Sequence, residues 1–356
     1  MKTTLAASGG ATSVPADFHT GLRQTVFAFM RSHNLSPIDQ SGLLKKAVIN
    51  YSLWFVMYAA YLFVGANYGW AALAIAPLLG FAMLCIVLSV MHDGSHGAFS
   101  NSKWLNTLAE YSLAFAGGCP LLWHYVHVRS HHEHTNVIGY DQDFESGGLI
   151  RLHSAQPRHK AHRFQQFYAW FLYSGHAIRW IWFDDIKDYF VNRWSITPSQ
   201  KKKLLLEIIF AKTWHILSYL IIPWLVIGNW PIVVTFYLLH WMLLSSALVP
   251  IFAMAHLTHV QKMPASIEEG NSDWSLHQLN TTVDFATSNR ILSWIVGGLN
   301  FQIEHHIFPK ISHTRYRLIQ PVIRDYCKAH GVRYFEYPTI RSVVAGHFMH
   351  LKTLGS

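Results

Sequence analysis

The sequence predicts an all-α integral membrane protein with four transmembrane helices arranged as two hairpins. Three observations support this. Only 13% of the 356 residues are charged, whereas 51% are hydrophobic; soluble domains carry roughly 25% charged residues. Residues 47–92 contain no Lys, Arg, Asp or Glu, and the same holds for residues 213–261. Each segment can hold two spans and a turn, because one span needs about 20 apolar residues.

Two short breaks divide these uncharged segments into spans. Residues 65–70 interrupt the first segment, and residues 228–231 interrupt the second. The predicted spans cover about 48–66, 70–91, 213–228 and 232–256. The alternative is a soluble helical protein with two buried hairpins, which uncharged segments of this length disfavour.

The charge distribution predicts how the spans are oriented. Both breaks contain Trp but no cation, and the Lys and Arg residues lie on the segments outside the hairpins. Because Lys and Arg are enriched in cytoplasmic segments, both termini and the connecting segments are predicted to be cytoplasmic. We therefore expect a multi-pass protein whose formal charge of +9 meets membrane lipids and an acidic partner, not nucleic acid.

The segment before the first span is predicted to contain a tail and a helix. Residues 1–20 are polar and lack the apolar core of a signal peptide, which predicts a flexible N-terminal tail. A single domain is expected over residues 21–356. Apolar residues recur at helical spacing within residues 20–46, which predicts a helix at the protein or membrane surface.

Two further segments are predicted to lie at the membrane surface. Residues 108–122 are apolar but too short to span the bilayer. Residues 164–183 are rich in aromatic side chains and also contain His176 and Arg179, a composition typical of an interfacial helix.

Histidine is the anomaly in the composition, because its 24 residues outnumber the 19 Asp and Glu together. Eight of them cluster at or beyond the predicted cytoplasmic ends of spans: His92, His96, His127, His131, His132, His256, His305 and His306. Residues i and i+4 share one face of a helix, so His92 with His96 can bind one ion. The same spacing relates His127 to His131. The eight histidines form four clusters, at residues 92–96, 127–132, 256 and 305–306. Four clusters on one membrane face predict a metal site rather than packed core histidines.

The ligand set predicts the number of ions better than their identity. Eight imidazoles without neighbouring Cys are too many for one tetrahedral zinc ion and suit two ions. Imidazole binds zinc, copper, iron and nickel. A pair of irons at the bilayer surface could activate dioxygen to attack a lipid C–H bond. A zinc hydrolase is the alternative, because Asp93 and Glu304 could activate water.

Other polar residues receive supporting or structural roles. Gln302, Asp93 and His259 are predicted to support the ligands or hold a water molecule, and His259 could also replace His256. His153, His159 and His162 lie in a basic loop and are expected to be solvated.

These motifs resemble those of the membrane fatty acid desaturases, which carry three His boxes. Residues 297–309, GGLNFQIEHHIFP, are similar to the third box of front-end members, in which Gln replaces the first His, as Gln302 does here. The resemblance extends from about Arg23 to Leu354. It is strongest to members without a fused cytochrome b5 domain, such as the cyanobacterial delta-6 acyl-lipid desaturases. Val128 departs from the Asn usual in the second box.

The resemblance implies a desaturase domain over 21–356, with four spans, interfacial helices and a cytoplasmic cap that holds a di-iron site. It implies two Fe ions as cofactor, O2 as co-substrate and His256 as a ligand from the fourth span. The implied substrate is a fatty acyl chain, carried as a glycerolipid or an acyl thioester. A cis double bond would be inserted towards its carboxyl end, with delta-6 as the first expectation.

Two other functions stay open at this point. A membrane di-iron lipid hydroxylase would use the same ligands, and only the third box favours desaturation over hydroxylation. A non-enzymatic membrane metal or haem protein is less favoured, because a carrier needs ionisable groups deep within its spans, whereas these clusters lie at span ends.

The implied reaction consumes two electrons. The sequence shows no haem motif, no Cys cluster for iron–sulfur and no Gly-rich dinucleotide fingerprint, so we expect a separate electron donor. Ferredoxin and cytochrome b5 both fit, and the resemblance favours ferredoxin. Lys310, Arg315 and Arg317, just after the third box, are the expected docking residues.

Overall fold

The structure, a computed structural model, describes residues 17–143, 146–191, 194, 196–270 and 273–356. Within these residues the α-helices are α1 Phe18–Ser32, α2 Gln40–Tyr68, α3 Ala76–Ile86, α4 His92–Ser95, α5 Lys103–Glu110, α6 Ser112–Ala116, α7 Pro120–Trp123, α8 Gln165–Arg179, α9 Asp185–Val191, α10 Pro198–Ile216, α11 Ile222–Ile227, α12 Trp230–His256, α13 Ile267–Gly270, α14 Trp274–Thr281, α15 Arg290–Ile295, α16 Gln302–Ile307, α17 His313–Ala329 and α18 Ile340–Gly355.

Shorter elements connect several of these helices. The 3₁₀ segments are Gly69–Ile75 and Lys160–Phe164, and the π-helical segments are Val87–Met91, His124–His131, Trp180–Asp184 and Leu217–Ile221. Two strands of two residues each, β1 Asp284–Phe285 and β2 Glu336–Tyr337, pair in parallel. The predicted all-α class is thus corrected by one small strand pair, which the long helical segments around it gave no reason to expect.

The first apolar stretch folds back on itself at Gly69. This residue has φ +57°, a conformation that Gly adopts at little cost. The returning helix runs antiparallel to α2, because Asn50 Nδ2 donates to Cys85 O at 3.2 Å and to Ser89 Oγ at 3.1 Å. The stretch Gln40–Ser95 therefore contains two antiparallel arms.

The second hairpin pairs α10 and α11 with α12 around Gly228, which has φ +69°. His215 and Tyr237 join its two arms through an Nε2–OH hydrogen bond of 2.9 Å. The two hairpins pack against each other, with the rings of Tyr61 and Phe236 stacked at 3.5 Å. A Cβ on Gly80 would lie 3.4 Å from the carbonyl oxygen of His240, so a small residue permits this close approach.

Within the part of the chain that the structure describes, three helical segments are long and apolar enough to cross a membrane: Gln40–Ser95, Pro198–Ile227 and Trp230–His256. The prediction of a mostly helical chain with long apolar helices is confirmed. The helix containing the third predicted span, 213–228, begins earlier than that span, at Pro198. Thr197 caps it and Pro198 occupies its first turn, an arrangement that favours helix initiation. Uncharged sequence therefore marked where the apolar part begins, not where the helix begins.

The N-terminal helix differs from its prediction in bounds and in partner. Residues 1–16 of the predicted tail 1–20 lie outside the described residues, and α1 already begins at Phe18. The predicted helix within 20–46 is two helices, interrupted at Asn34 with φ +52°. The apolar face of α1 packs against α17 instead of an outer surface, burying Leu22, Val26 and Met30.

Helix α8 lies lengthwise along α12. Ser245 Oγ accepts from Ala177 N at 3.0 Å and donates to Tyr173 O at 2.6 Å. Further along, Trp182 Nε1 donates to Tyr237 OH at 2.8 Å, so the two helices are antiparallel. The predicted interfacial helix 164–183 is thus tied to the second hairpin by one face.

The loop before α16 is pressed against the turn that precedes His92. Gly297 has φ +61°, and a Cβ there would lie 2.0 Å from Leu88 O. We predict that Gly297→Ala lowers the free energy of unfolding by roughly 2–5 kcal/mol, the sum of left-handed strain and overpacking. Gly147 has the same φ with nothing within 4 Å, so Gly147→Ala should cost only the strain, about 1 kcal/mol. Thermal unfolding of the purified protein measures both; equal losses would contradict the close contact.

Candidate metal centre

Four structural elements bring the eight predicted histidines into one buried chamber. The π-helical turn Val87–Met91 leads directly into α4, and a second π-helical segment, His124–His131, carries the middle cluster. The C-terminus of α12 and helix α16 supply the others. None of the eight residues is more than 7% exposed. Such π-helical turns are frequent at functional sites, and here they set the direction of the imidazoles.

The ligand nitrogens form overlapping groups, each with its atoms within 4.8 Å of one another. The first group is His92, His96, His127 and His305. The second group is His131, His256 and His306. His132 groups with His305 and His306, which places it between the two. This arrangement matches two neighbouring cations.

The contacts between the rings fit bound cations. His92 Nε2 lies 3.2 Å from His127 Nε2, and His132 Nε2 lies 3.0 Å from His305 Nε2. Among the described residues, the buried Nε2 atoms of His96 and His306 have no hydrogen-bond partner. Burying polar nitrogens without partners is costly. Bound cations would offset this cost, because the nitrogens would coordinate them.

The opposite nitrogens of several rings are anchored to the protein. His127 Nδ1 donates to Asp143 Oδ2 at 2.7 Å, and His131 Nδ1 donates to Asp141 Oδ2 at 3.0 Å. The Nδ1–H···acceptor pattern fixes the tautomer and makes Nε2 the nitrogen that would bind a metal.

The third box is anchored in the same way. His306 Nδ1 donates to Gln278 Oε1 at 2.9 Å, and His305 Nδ1 is hydrogen bonded to Tyr316 OH at 3.1 Å. Sequence reasoning did not assign these roles, nor those of the two aspartates. For the aspartates, the available signal was their position nine and eleven residues beyond the second box.

Burial and neighbouring imidazoles lower the pKa of His127, His132, His305 and His306 well below the usual value. These rings are therefore neutral near pH 7, as metal coordination requires. Burial also acts to lower the pKa of His131, but the adjacent Asp141 carboxylate outweighs it and raises that pKa.

The two carboxylates that a zinc hydrolase would use are engaged elsewhere. Asp93 Oδ2 accepts from His313 Nδ1 at 2.8 Å, and Glu304 Oε1 accepts from Tyr334 OH at 2.9 Å. Burial and the nearby Asp284 raise the pKa of Glu304 well above its usual value. Asp93 thus holds the start of α17, and neither side chain is placed as a base for water in the chamber.

The other predicted supporting residues are separated by the structure. Gln302 is buried at the start of α16. His259 is exposed, so its predicted place at the ligands is wrong. The physical reason is local: α12 ends at His256, and Leu257 leaves the helix with φ −121°, so His259 no longer follows the helical face.

The expected docking residues remain near the surface. Lys310 is exposed, Arg315 lies 3.5 Å from Asp39 through its guanidinium, and Arg317 donates to Thr287 O at 3.2 Å.

The basic-loop histidines differ from expectation. His159 is exposed, as predicted, but His153 and His162 are buried instead of solvated. Their Nε2 atoms bond Met263 O at 3.0 Å and Gly148 O at 2.9 Å. Each ring closes a polar contact between loops, which composition alone does not reveal.

An apolar cavity of about 340 Å³ adjoins the chamber between α8 and α12. Trp123 and Phe252 line it, and both also contact the metal-side rings. Trp123 stacks on His127 with ring centroids 4.2 Å apart, and the Phe252 ring lies 5.7 Å from the same imidazole. Asp143, which holds His127, lines the cavity too. An aliphatic chain in this cavity would therefore lie against the histidine cluster.

Residues 68–338 match the family model of the fatty acid desaturases. The chain belongs to the fatty acid desaturase family. This desaturase is 31% identical over 350 residues to an sn-1 linoleoyl-lipid 6-desaturase of Synechocystis sp., with 95% of each chain covered. It is 29% identical over 350 residues to the enzyme of that name from Arthrospira platensis, covering 95% of this chain and 92% of the relative. The predicted family and enzyme class are confirmed.

A more distant relative shows the same relationship. An acyl-lipid (8-3)-desaturase of Physcomitrium patens is 29% identical over 349 residues, which cover 95% of this desaturase and 72% of the relative. The match therefore extends over nearly the whole chain.

The contrast between His256 and His259 provides a test of the chamber. We predict that His256→Ala loses at least half of the bound metal, because one of the three residues in its group is removed. His259→Ala should keep the wild-type content, since that side chain is exposed. Elemental analysis of purified protein measures both, with circular dichroism to show that helicity is retained. A folded His256→Ala variant with full metal content would contradict the assignment.

Proposed function

We propose that this desaturase is an oxygen-dependent, front-end acyl-lipid desaturase that uses two irons. It inserts a cis double bond between an existing double bond and the carboxyl end of the acyl chain. The position that we expect first is delta-6. The observation that carries the proposal is the pair of overlapping histidine groups beside an apolar cavity. The names of the two cyanobacterial relatives support the position and the lipid-bound substrate.

The proposed membrane topology has four crossings, with both termini and the chamber on the cytoplasmic side. The antiparallel arms within Gln40–Ser95 support two crossings, and Pro198–Ile227 with Trp230–His256 supports the other two. The outward side chains of these helices include exposed Phe55, Phe63 and Leu225, as a lipid-facing surface requires.

In the proposed site, the group of His92, His96, His127 and His305 would hold one iron. The group of His131, His256 and His306 would hold the other, and His132 lies between the two groups. When bound, the irons supply activation of dioxygen. The overall reaction balances as O2 plus two electrons, two protons and two hydrogens from adjacent methylenes, giving a double bond and two waters.

The residues of the chain position these reactants. Asp143 and Asp141 fix the orientation of His127 and His131 through charged hydrogen bonds. Trp123 and Phe252 line the cavity and also contact the His127 imidazole, so they would hold the reacting methylenes beside the site in an apolar environment. A chain held in one register gives one product position, which is the physical basis of regioselectivity.

The proposed substrate and the role of Gln302 are tested together. We predict that a host without desaturases, expressing this chain and fed linoleic acid, accumulates the delta-6 product in its lipids. Gln302→His should retain part of the activity, because imidazole can also bind metal or water, whereas Gln302→Ala should lose nearly all of it. Gas chromatography with mass spectrometry identifies the products. Desaturation of saturated chains alone, or hydroxylated products, would contradict the proposal.

We further propose that a soluble acidic donor, ferredoxin in preference to cytochrome b5, docks at Lys310, Arg315 and Arg317. Charge complementarity raises association rates and is screened by salt. Charge reversal of all three residues should lower the donor's kcat/KM roughly tenfold or more at low salt. Reversal at the exposed cations Lys202, Lys328 and Lys352 serves as the matched control. The assay is turnover reconstituted with ferredoxin and its reductase at rising salt concentration. A turnover rate that changed with neither salt nor the triple reversal would contradict docking at these residues.

A further inference from the structure

A second cavity, of about 250 Å³, lies where α2, α15 and α17 meet. It is distinct from the cavity between α8 and α12. Its charged lining residues are all basic, namely Lys46, Arg290 and Arg317, and no carboxylate is among the described residues that line it. An electropositive cavity of this kind is suited to an anion.

Lys46 is the buried cation at this site, with only 5% of its surface exposed. Its Nζ donates to Trp294 O at 2.5 Å and to His313 Nε2 at 3.0 Å. An ammonium group has three donors, so one remains for a ligand. Both named acceptors are uncharged groups, because His313 uses Nδ1 to donate to Asp93 and accepts through Nε2. A buried charge is costly without a counter-ion in contact with it, and a bound anion would supply one.

The cavity lies at the level where the outer surface becomes apolar. Two residues beyond Lys46, Val48 is 66% exposed, followed by the exposed Ile49. On α15, Ile291 is 75% exposed and Trp294 is also exposed. Exposed Trp beside an apolar helix surface is typical of the membrane–water interface. The lining cations therefore stand at the height of lipid headgroups if α2 crosses the bilayer as proposed.

We propose that this cavity binds the phosphate of a glycerophospholipid, whose acyl chains then lie along α2 at Val48 and Ile49. Arg290 can bind a phosphate through two parallel N–H···O bonds, and Lys46 supplies the buried charge. Basic pockets between membrane helices on the cytoplasmic side bind anionic headgroups in this way. This lipid is separate from the acyl chain that reacts, because other helices form its site.

The test is lipid binding to the intact protein in detergent, measured by native mass spectrometry. Phosphatidylglycerol and a galactolipid with the same acyl chains but no phosphate are titrated separately, and inorganic phosphate is titrated in a third arm. Arg290→Gln and Lys46→Gln should each weaken phosphatidylglycerol binding about tenfold or more. The controls Lys45→Gln and Arg324→Gln, at exposed cations on α2 and α17, should change it less than twofold. The galactolipid should bind more weakly than phosphatidylglycerol, and none of the four substitutions should change its affinity.

Equal affinities for the two lipids would overturn the proposal. So would phosphatidylglycerol binding that Arg290→Gln leaves unchanged, and this variant decides the question if Lys46→Gln does not fold, because Arg290 is exposed. Inorganic phosphate that binds through Arg290 and Lys46, without corresponding binding of phosphatidylglycerol, would assign the site to a free anion and overturn the lipid assignment.

Discussion

The burial of eight imidazoles in one chamber is the constraint on which the rest of this molecule depends. Close packing and burial lower the pKa of rings such as His132 and His305. Among the described residues, the inward nitrogens of His96 and His306 have no hydrogen-bond partner. Bound metal cations would supply one. The outward nitrogens are then committed to fixed acceptors such as Asp143 and Asp141, so the orientation of each ligand is set by a second layer of charged or polar contacts.

The long helices position the residues that form this chamber. The antiparallel arms of each hairpin bring two helix ends, at His92 and His256, to one side of the molecule, where short helices from the C-terminal third close over them. Helix α8 packs along α12 and completes an apolar cavity whose wall, Trp123, is stacked on a metal-side ring. The cavity and the histidine chamber therefore share side chains, which in the proposed function would couple where the acyl chain binds to where hydrogen is removed.

The long apolar helices and the clustering of the histidines were predictable because both depend on local sequence. Uncharged segments of membrane length indicate the helices, and i, i+4 spacing indicates the histidine pairs. Other features depend on contacts distant in sequence. The burial of α1 against α17, the lengthwise packing of α8, and the anchoring of His306 by Gln278 all join segments that no periodicity relates. The exclusion of His259 depends on where one helix ends, a boundary that hydrophobicity does not mark. Asp141 and Asp143, beyond the second box, belong to no recognisable motif, so their contacts with the histidines could not be predicted.

The central claim is that the chamber holds two irons, one in each histidine group. Anomalous diffraction from crystals of the purified protein, recorded on both sides of the iron and zinc absorption edges, tests it most directly. The account predicts two iron peaks in each chain, one among His92, His96, His127 and His305 and the other among His131, His256 and His306. A single peak, or peaks that appear at the zinc edge instead, would contradict it.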